Sequence, residues 1–246
     1  LGLDVNEDST VTSLSLDHKT PVAIANTKTL SGAITVTGNS GQLKLTGTGT
    51  LASSIAMSGG KLEADETLTL SGALSHTADI TIDVAGDKIF TYSGTAINVG
   101  ANTITLSGGG SLVSGGMTLN DEDSKLLLNS ITLDNASTSA NNSGIDVDAN
   151  STVTSFSVGH TTPVSIKANR TLSGSITVTA GSIKLGETGT LGSTVTMSGG
   201  TLEADNNLTL SGPLTQSGNI TIAVAENKTL GYSGAAVNLG AKTLTM

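Results

Sequence analysis

The chain has no cysteine and no tryptophan, and only two tyrosines and two phenylalanines among 246 residues. Without thiols there are no disulfide staples and no thiolate metal sites. Without bulky rings a compact globule would lack the side chains that usually fill its centre, so a thin, regular core suits the composition better. Proline occurs three times, and with so many aliphatic residues the chain does not read as a disordered Pro/Gly/Ser linker. Charge is sparse as well, at 13% of residues against roughly 25% in ordinary soluble domains. The net charge is −9, Arg170 is the only arginine and the lysines are scattered, which argues against nucleic acid as a partner. No run of 18 apolar residues is present, so no helical membrane span is expected in this segment. No charged leader precedes an apolar stretch at Leu1, and the reading is either a removed signal peptide or an internal fragment.

What the chain does have is repetition. The string LDVNEDSTVTSLSLDHKTPV from Leu3 returns as IDVDANSTVTSFSVGHTTPV from Ile145, 142 residues later. The offset falls to 140 after a two-residue gap near Gly38–Gly41, and Met57-Ser58-Gly59-Gly60, Leu62-Glu63-Ala64-Asp65 and Tyr92-Ser93-Gly94 recur as Met197-Ser198-Gly199-Gly200, Leu202-Glu203-Ala204-Asp205 and Tyr232-Ser233-Gly234. A shorter beat runs inside: Leu30, Leu51 and Leu70 are spaced 21 and 19 apart, and Leu172, Leu191 and Leu210 are spaced 19 and 19, each preceded by Thr. Seven rungs of roughly 20 residues would fill one 142-residue unit, as in solenoid repeats. Ala33-Ile34-Thr35-Val36-Thr37, Ile80-Thr81-Ile82-Asp83-Val84 and Ile220-Thr221-Ile222-Ala223-Val224 alternate aliphatic and polar residues, the period of a half-buried strand. Ser-Gly, Gly-Gly and Ala-Gly-Asp between them mark sharp turns.

Such strands are too short to bury their apolar face alone, and stacking equivalent rungs buries it. The expectation is therefore an all-β parallel β-helix, a β-solenoid with rungs of roughly 20 residues and a right-handed coil. A β-sandwich would accommodate the alternation but not the beat. Residues 1–246 read as one continuous solenoid, with a complete unit at 3–144 and a truncated second unit at 145–246, the array extending beyond both ends.

Gly49-Thr50-Leu51, Thr67-Leu68-Thr69-Leu70-Ser71-Gly72 and Thr103-Ile104-Thr105-Leu106-Ser107-Gly108 resemble strings that recur in secreted bacterial β-helical exoproteins, the filamentous-haemagglutinin-like adhesins and autotransporter passenger domains. The resemblance covers the whole chain. It implies an extracellular or cell-surface location and a role in adhesion or matrix.

Several clusters bear on chemistry. Glu63/Asp65 and Glu203/Asp205 fall two apart on one strand face, as paired acids of a glycan-active enzyme would, with Lys61 beside the first pair and Thr201 beside the second. A solvated turn accounts for them equally, since no basic cluster completes a site. Asp4, Asn6 and Asp8, and Asp146, Asp148 and Asn150, open like a calcium loop, but Ser9 and Ser151 stand where Gly is needed and Ser15 and Ser157 where Glu is needed, leaving a looser site or an Asx-rich turn. Asp121-Glu122-Asp123 has the same two readings. His18 and His160 are equivalent, while His76 is replaced by Gln216, so they read as turn residues rather than ligands. Thr10/Thr12, Thr35/Thr37, Thr67/Thr69, Thr103/Thr105, Thr152/Thr154 and Thr177/Thr179 would form a flat hydroxyl face of the ice-binding kind if they aligned; Thr is also simply a good strand residue. Sequons at Asn135, Asn141, Asn150, Asn169, Asn207, Asn219 and Asn227 fit chance in so Asn/Ser/Thr-rich a chain. The expected function is a structural cell-surface fibre, filament or adhesin stalk with no catalytic role and no cofactor. The alternative is a ligand-binding surface for ice, glycan or calcium, and a glycan-active enzyme is third. Expected partners are further copies, end to end or lateral, and host or surface glycans.

Overall fold

The computed structural model describes residues 2–237 and 241–246. Strand makes up 56% of the chain, no described residue is helical, and parallel sheets stack as a β-solenoid of about 12 turns with rungs roughly 20 residues apart. Residues gather into two compact units: Leu1–Ile97 with Asn102–Met117 and Ser130–Asp134, and Asn98–Ala101 with Thr118–Asn129 and Asn135–Met246. Each unit is built from the same kind of rung.

One rung of the first unit shows how sequence becomes shape. Strand Lys61–Ala64 turns at Asp65-Glu66-Thr67 into strand Leu68–Leu70, which bends at Ser71-Gly72-Ala73 into strand Leu74–His76. Alternate side chains point inward, so Leu62, Ala64, Leu68, Leu70 and Leu74 are buried. The first segments pair in parallel from rung to rung: Leu3–Val5, Lys19–Ile24, Gln42–Leu45, Lys61–Ala64, Ile80–Val84 and Thr103–Ser107. In the second unit the same segment runs through Gly144–Val147, Thr162–Ile166, Ser182–Leu185, Thr201–Ala204 and Ile220–Val224. The two-residue gap between the copies is taken up entirely in a turn. Val22 pairs with Leu45, 23 residues on, and Val164 with Leu185, 21 on, while the next step is 19 in both copies.

The Thr-Leu beat is the register itself. Leu30 stacks on Leu51, Leu51 on Leu70, and Leu70 on Tyr92; Leu172, Leu191, Leu210 and Tyr232 form the matching column. The Leu members are at most 1% exposed. Each such burial stabilises by roughly 1.5–3 kcal/mol. Three of the four rings are also inside, Tyr92 at 4% exposure and Phe90 and Phe156 among the largest fully buried side chains.

Corners explain the Ser-Gly strings. A Cβ on Gly72 would lie 2.0 Å from the carbonyl oxygen of Ser53 on the preceding rung, and one on Gly212 would lie 1.9 Å from that of Ser193. Ser53 and Ser193 are themselves fully buried and donate to the carbonyls of Leu30 and Leu172 at 3.2 and 3.1 Å. Where the corner is occupied by an aromatic ring, the neighbouring residue gives way. Tyr92 accepts the buried Leu74 N–H at 3.3 Å, and its ring leaves no room for a Cβ at Gly94, which gives the Tyr-Ser-Gly string its spacing.

Among the turns closed by an i to i+3 bond are Ala25 to Lys28, Ala85 to Lys88, Lys167 to Arg170 and Ala225 to Lys228, each at 3.0 Å. Their third residues are left-handed: Thr27 (φ 65), Asp87 (62), Asn169 (61) and Asn227 (58). Asn and Asp tolerate this region, whereas a β-branched side chain does so at a cost. Thr27→Asn is expected to raise stability by about 0.5 kcal/mol or more in urea unfolding. In the column beside it, Leu51→Ala is expected to cost about 2–5 kcal/mol, and Thr50→Ala on the outward side no more than about 1 kcal/mol. Equal losses for the two would contradict the assignment of inward and outward faces.

Candidate functional site: the charged ladder and turns of the first unit

Outward positions of the first segment form two columns, Gln42–Lys61–Thr81 and Lys44–Glu63–Asp83. Stacking brings Glu63 against cations from three rungs. Gln42 Nε2 and Lys44 Nζ donate to its two oxygens, Lys61 Nζ lies 3.3 Å and Lys19 Nζ 3.6 Å from Oε2, and the residue is 8% exposed. Lys61 also reaches Asp83 at 3.0 Å, and Lys44 pairs with Asp65. Burial by itself would push the Glu63 carboxyl up, but hydrogen bonds and charge from Lys44 and Lys61 outweigh it and hold the group at about 2. Lys44 is raised by its hydrogen bonds to Asp65 and Glu63. Lys61 is raised too, against burial, by its bonds to Asp83 and Glu63. A carboxylate that titrates so low is a poor proton acceptor at neutral pH. Its evident effect is to tie three rungs together.

In the second copy the core of this ladder is reduced. Lys184 reaches Glu203 at 3.4 Å and Asp205 at 3.9 Å, and Thr201 and Ala223 stand in place of Lys61 and Asp83.

The calcium-like triplets are not gathered around a common point. Asp4 and Asn6 line a depression of about 410 Å³ with Asn26, Thr48 and Glu66, but Asp8 turns to accept the Thr29 N–H at 2.9 Å. Asp146 pairs with Lys125 at 2.9 Å, Asp148 with Lys167 at 2.7 Å, and Asn150 accepts the Thr171 N–H at 3.0 Å. Among the described residues no three His, Cys, Asp or Glu side chains are grouped so as to hold a metal ion. Asp121-Glu122-Asp123 is an Asx turn, with Asp121 Oδ1 accepting the Asp123 N–H at 3.0 Å. His18 sits on Asp17 at 2.7 Å and His76 beside the Ala78 carbonyl at 3.2 Å. What His18 and His160 share is the backbone, since their carbonyls accept the hydroxyls of Thr20 and Thr162 at 3.3 and 3.1 Å.

The Thr-x-Thr pairs lie on different segments. Thr103/Thr105 is on the first, Thr69 on the second, and Thr35 on the third, with Thr37 bonded back to Leu16 O at 3.3 Å. The hydroxyl ladders instead run between rungs and take one member of a pair at most: Thr29–Thr50–Thr69–Thr91 in the first unit, and Ser157–Thr177–Thr196–Thr215 in the second. Thr before each repeated Leu was the sequence signal for the first of these. Sequon asparagines are rung connectors: Asn141, Asn150, Asn207 and Asn219 accept the N–H of Thr161, Thr171, Thr229 and Thr243 at 2.9–3.1 Å. Asp8, Thr67 and Asp79 accept in the same way in the first copy, so the position calls for an acceptor of whatever kind.

Sequence reasoning missed one feature, a polar groove of about 450 Å³ lined by Asn39, Lys61, Asp79, Thr81, Thr103 and Thr105. Its signal was the two-residue insertion at Gly38–Gly41. The ladder itself predicts an acid response. With the folded carboxyl depressed to about 2 from 4.5, the Glu63 contribution is complete above pH 4.5, fades as pH falls, and is gone below the folded value. Glu63→Gln is expected to lose about 1–3 kcal/mol at neutral pH and to flatten the fall in stability between pH 4.5 and 2, whereas Glu203→Gln changes both less; urea unfolding across pH measures both. Compared with protein-family models, with curated proteins and with solved structures, the chain matches none of them.

Proposed function

We propose that the chain is a segment of an extracellular structural fibre or adhesin stalk of β-helical exoprotein type, whose work is reach, rigidity and display rather than catalysis. One observation carries this reading: polar side chains that looked like chemistry in the sequence are used between rungs. The ion pairs Lys28–Glu7, Lys88–Glu66, Lys44–Glu63 and Lys167–Asp148 and the Asp/Asn turn acceptors all link residues 19–24 positions apart. A structure held by nearest-neighbour contacts extends at nearly constant stability per rung.

Self-association end to end is part of the same proposal. In the first copy Val84, Phe90, Tyr92 and Leu106 are at most 4% exposed. The equivalent Val224, Tyr232 and Met246 are 43%, 39% and 93% exposed, around an apolar hollow of about 250 Å³. In the isolated segment a second copy is proposed to cover this face, as a further rung of the same array would. Its strands Leu3–Val5 and Ser9–Leu16 carry Leu3, Val5, Leu14 and Leu16 in the same inward columns and present a parallel backbone edge. In sedimentation velocity the chain is expected to form concentration-dependent linear oligomers, and Val224→Lys with Tyr232→Lys to hold it monomeric. Oligomers that persist unchanged in this variant would overturn the end-to-end contact. The second reading, a ligand-binding surface, is favoured by the groove at Asn39.

A further inference from the structure

The two copies within the chain act as a control on each other, because a residue the solenoid requires should have a workable counterpart in both. At the groove of about 450 Å³, a size common among small-molecule sites, three lining positions depart together. Gly38-Asn39-Ser40-Gly41 stands where the second copy has Ala180-Gly181, Lys61 where it has Thr201, and Asp79 where it has Asn219. Asn39 exists only through the insertion, and it lies over the following turn, where a Cβ on Gly59 would come 3.0 Å from its Oδ1. Thr81, Thr103 and Thr105 on the groove floor recur as Thr221, Thr243 and Thr245.

The turn does not demand the Asp79 carboxylate. Asp79 Oδ1 accepts the Thr103 N–H at 2.7 Å, and Asn219 accepts the Thr243 N–H at 3.1 Å in the same way. A carboxylate in place of an amide is therefore surplus to the turn, and Asp79 is exposed. Around the groove the Lys61 ammonium is already matched by Glu63 and Asp83 at 3.3 and 3.0 Å. With Asp79 added the local balance is negative, which disfavours phosphate, sulfate and acidic sugars.

We propose that this groove binds a neutral saccharide. Vicinal hydroxyls both donate and accept, and the groove offers the Asn39 amide, the Asp79 carboxylate, the Lys61 ammonium and three Thr hydroxyls at close quarters. No aromatic ring lines it, so a single site binds weakly, in about the millimolar range, and strength comes from several chains displaying it together. The site goes beyond the structural reading, and its failure would leave that reading intact.

The test uses the whole chain labelled with ¹⁵N, titrated with glucose, galactose, N-acetylglucosamine and cellobiose, and with glucuronate and glucose 6-sulfate in parallel. A neutral sugar is expected to give saturable amide shifts at Thr81, Thr103 and Thr105 but not at Thr221, Thr243 and Thr245. The triple variant Lys61→Thr/Asp79→Asn/Asp83→Ala installs the residues found together in the second copy, so that no acid is left without its cation; it should weaken binding about tenfold or more while leaving amides of the second unit unshifted. Asn39→Ala, which leaves the charges in place, should weaken binding in the same direction. Binding by the acidic sugars alone, equal shifts in both copies, unchanged affinity in the variants, or no saturable shift up to the solubility of the sugars would each overturn the proposal.

Discussion

Everything in this chain follows from in-register parallel stacking. Rungs lie about 4.8 Å apart, so each side chain rests directly on one that is 19–24 residues away in sequence. The inward consequence is that columns must be filled by shapes that stack, and Leu30–Leu51–Leu70 does so with a single residue type. The consequence at corners is that the backbone of one rung occupies the space a Cβ would need on the next, which is why Gly72 and Gly212 have no substitute. At the turns, an N–H that leaves the ladder must find an acceptor on a neighbouring rung, and Asp8, Asp79, Asn150 and Asn207 supply one each.

The same constraint turns surface polarity inward on the molecule. An isolated exposed ion pair contributes little, but a charge held in a stack has neighbours above, below and diagonally. Glu63 meets Lys44 from the preceding rung, Lys61 from its own and Lys19 from two rungs back, and is nearly buried by them. Most acidic residues that resembled a catalytic or calcium-binding set therefore have a partner already. The groove at Asn39 differs because Asn39 enters through the insertion and because Asp79 carries a charge that its rung contact, met equally by Asn219, does not need.

Much of the fold was legible because its period is written in the chain. The Thr-Leu spacing of 19 and 21 is the pairing register, and Ser-Gly strings mark corners whose steric reason the coordinates supply. Partners were not legible. Nothing local in Lys44 points to Glu63, since the two meet only after the turn at Gly47–Thr48 and the corner beyond it have set how much chain separates the rungs. The Thr-x-Thr pairs misled for the same reason. Residues two apart share a face within a strand, yet the strands are so short that Thr67/Thr69 and Thr103/Thr105 lie on different segments, and the true hydroxyl ladders run across rungs. The sequons fit chance in the sequence, and at Asn141, Asn150, Asn207 and Asn219 the physical need is an oxygen acceptor that Asp8 and Thr67 meet equally well.

Stacking also accounts for a paired change between the copies. Glu63 and Asp83 are neighbours in one column, and like charges directly opposite on adjacent strands destabilise the pair. Lys61, two residues before Glu63 on the same strand and diagonal to Asp83, reaches them at 3.3 and 3.0 Å and offsets that repulsion. In the second copy Lys61 has become Thr201, so an aspartate in the next rung would face Glu203 with no diagonal cation. Ala223 stands there instead. Retaining the acid without the lysine is the one combination the stack disfavours, and removing both leaves Lys184 to serve Glu203 and Asp205 alone. The unit of variation on this surface is thus the diagonal triplet rather than the single residue, and a change at one rung sets what its neighbours can carry.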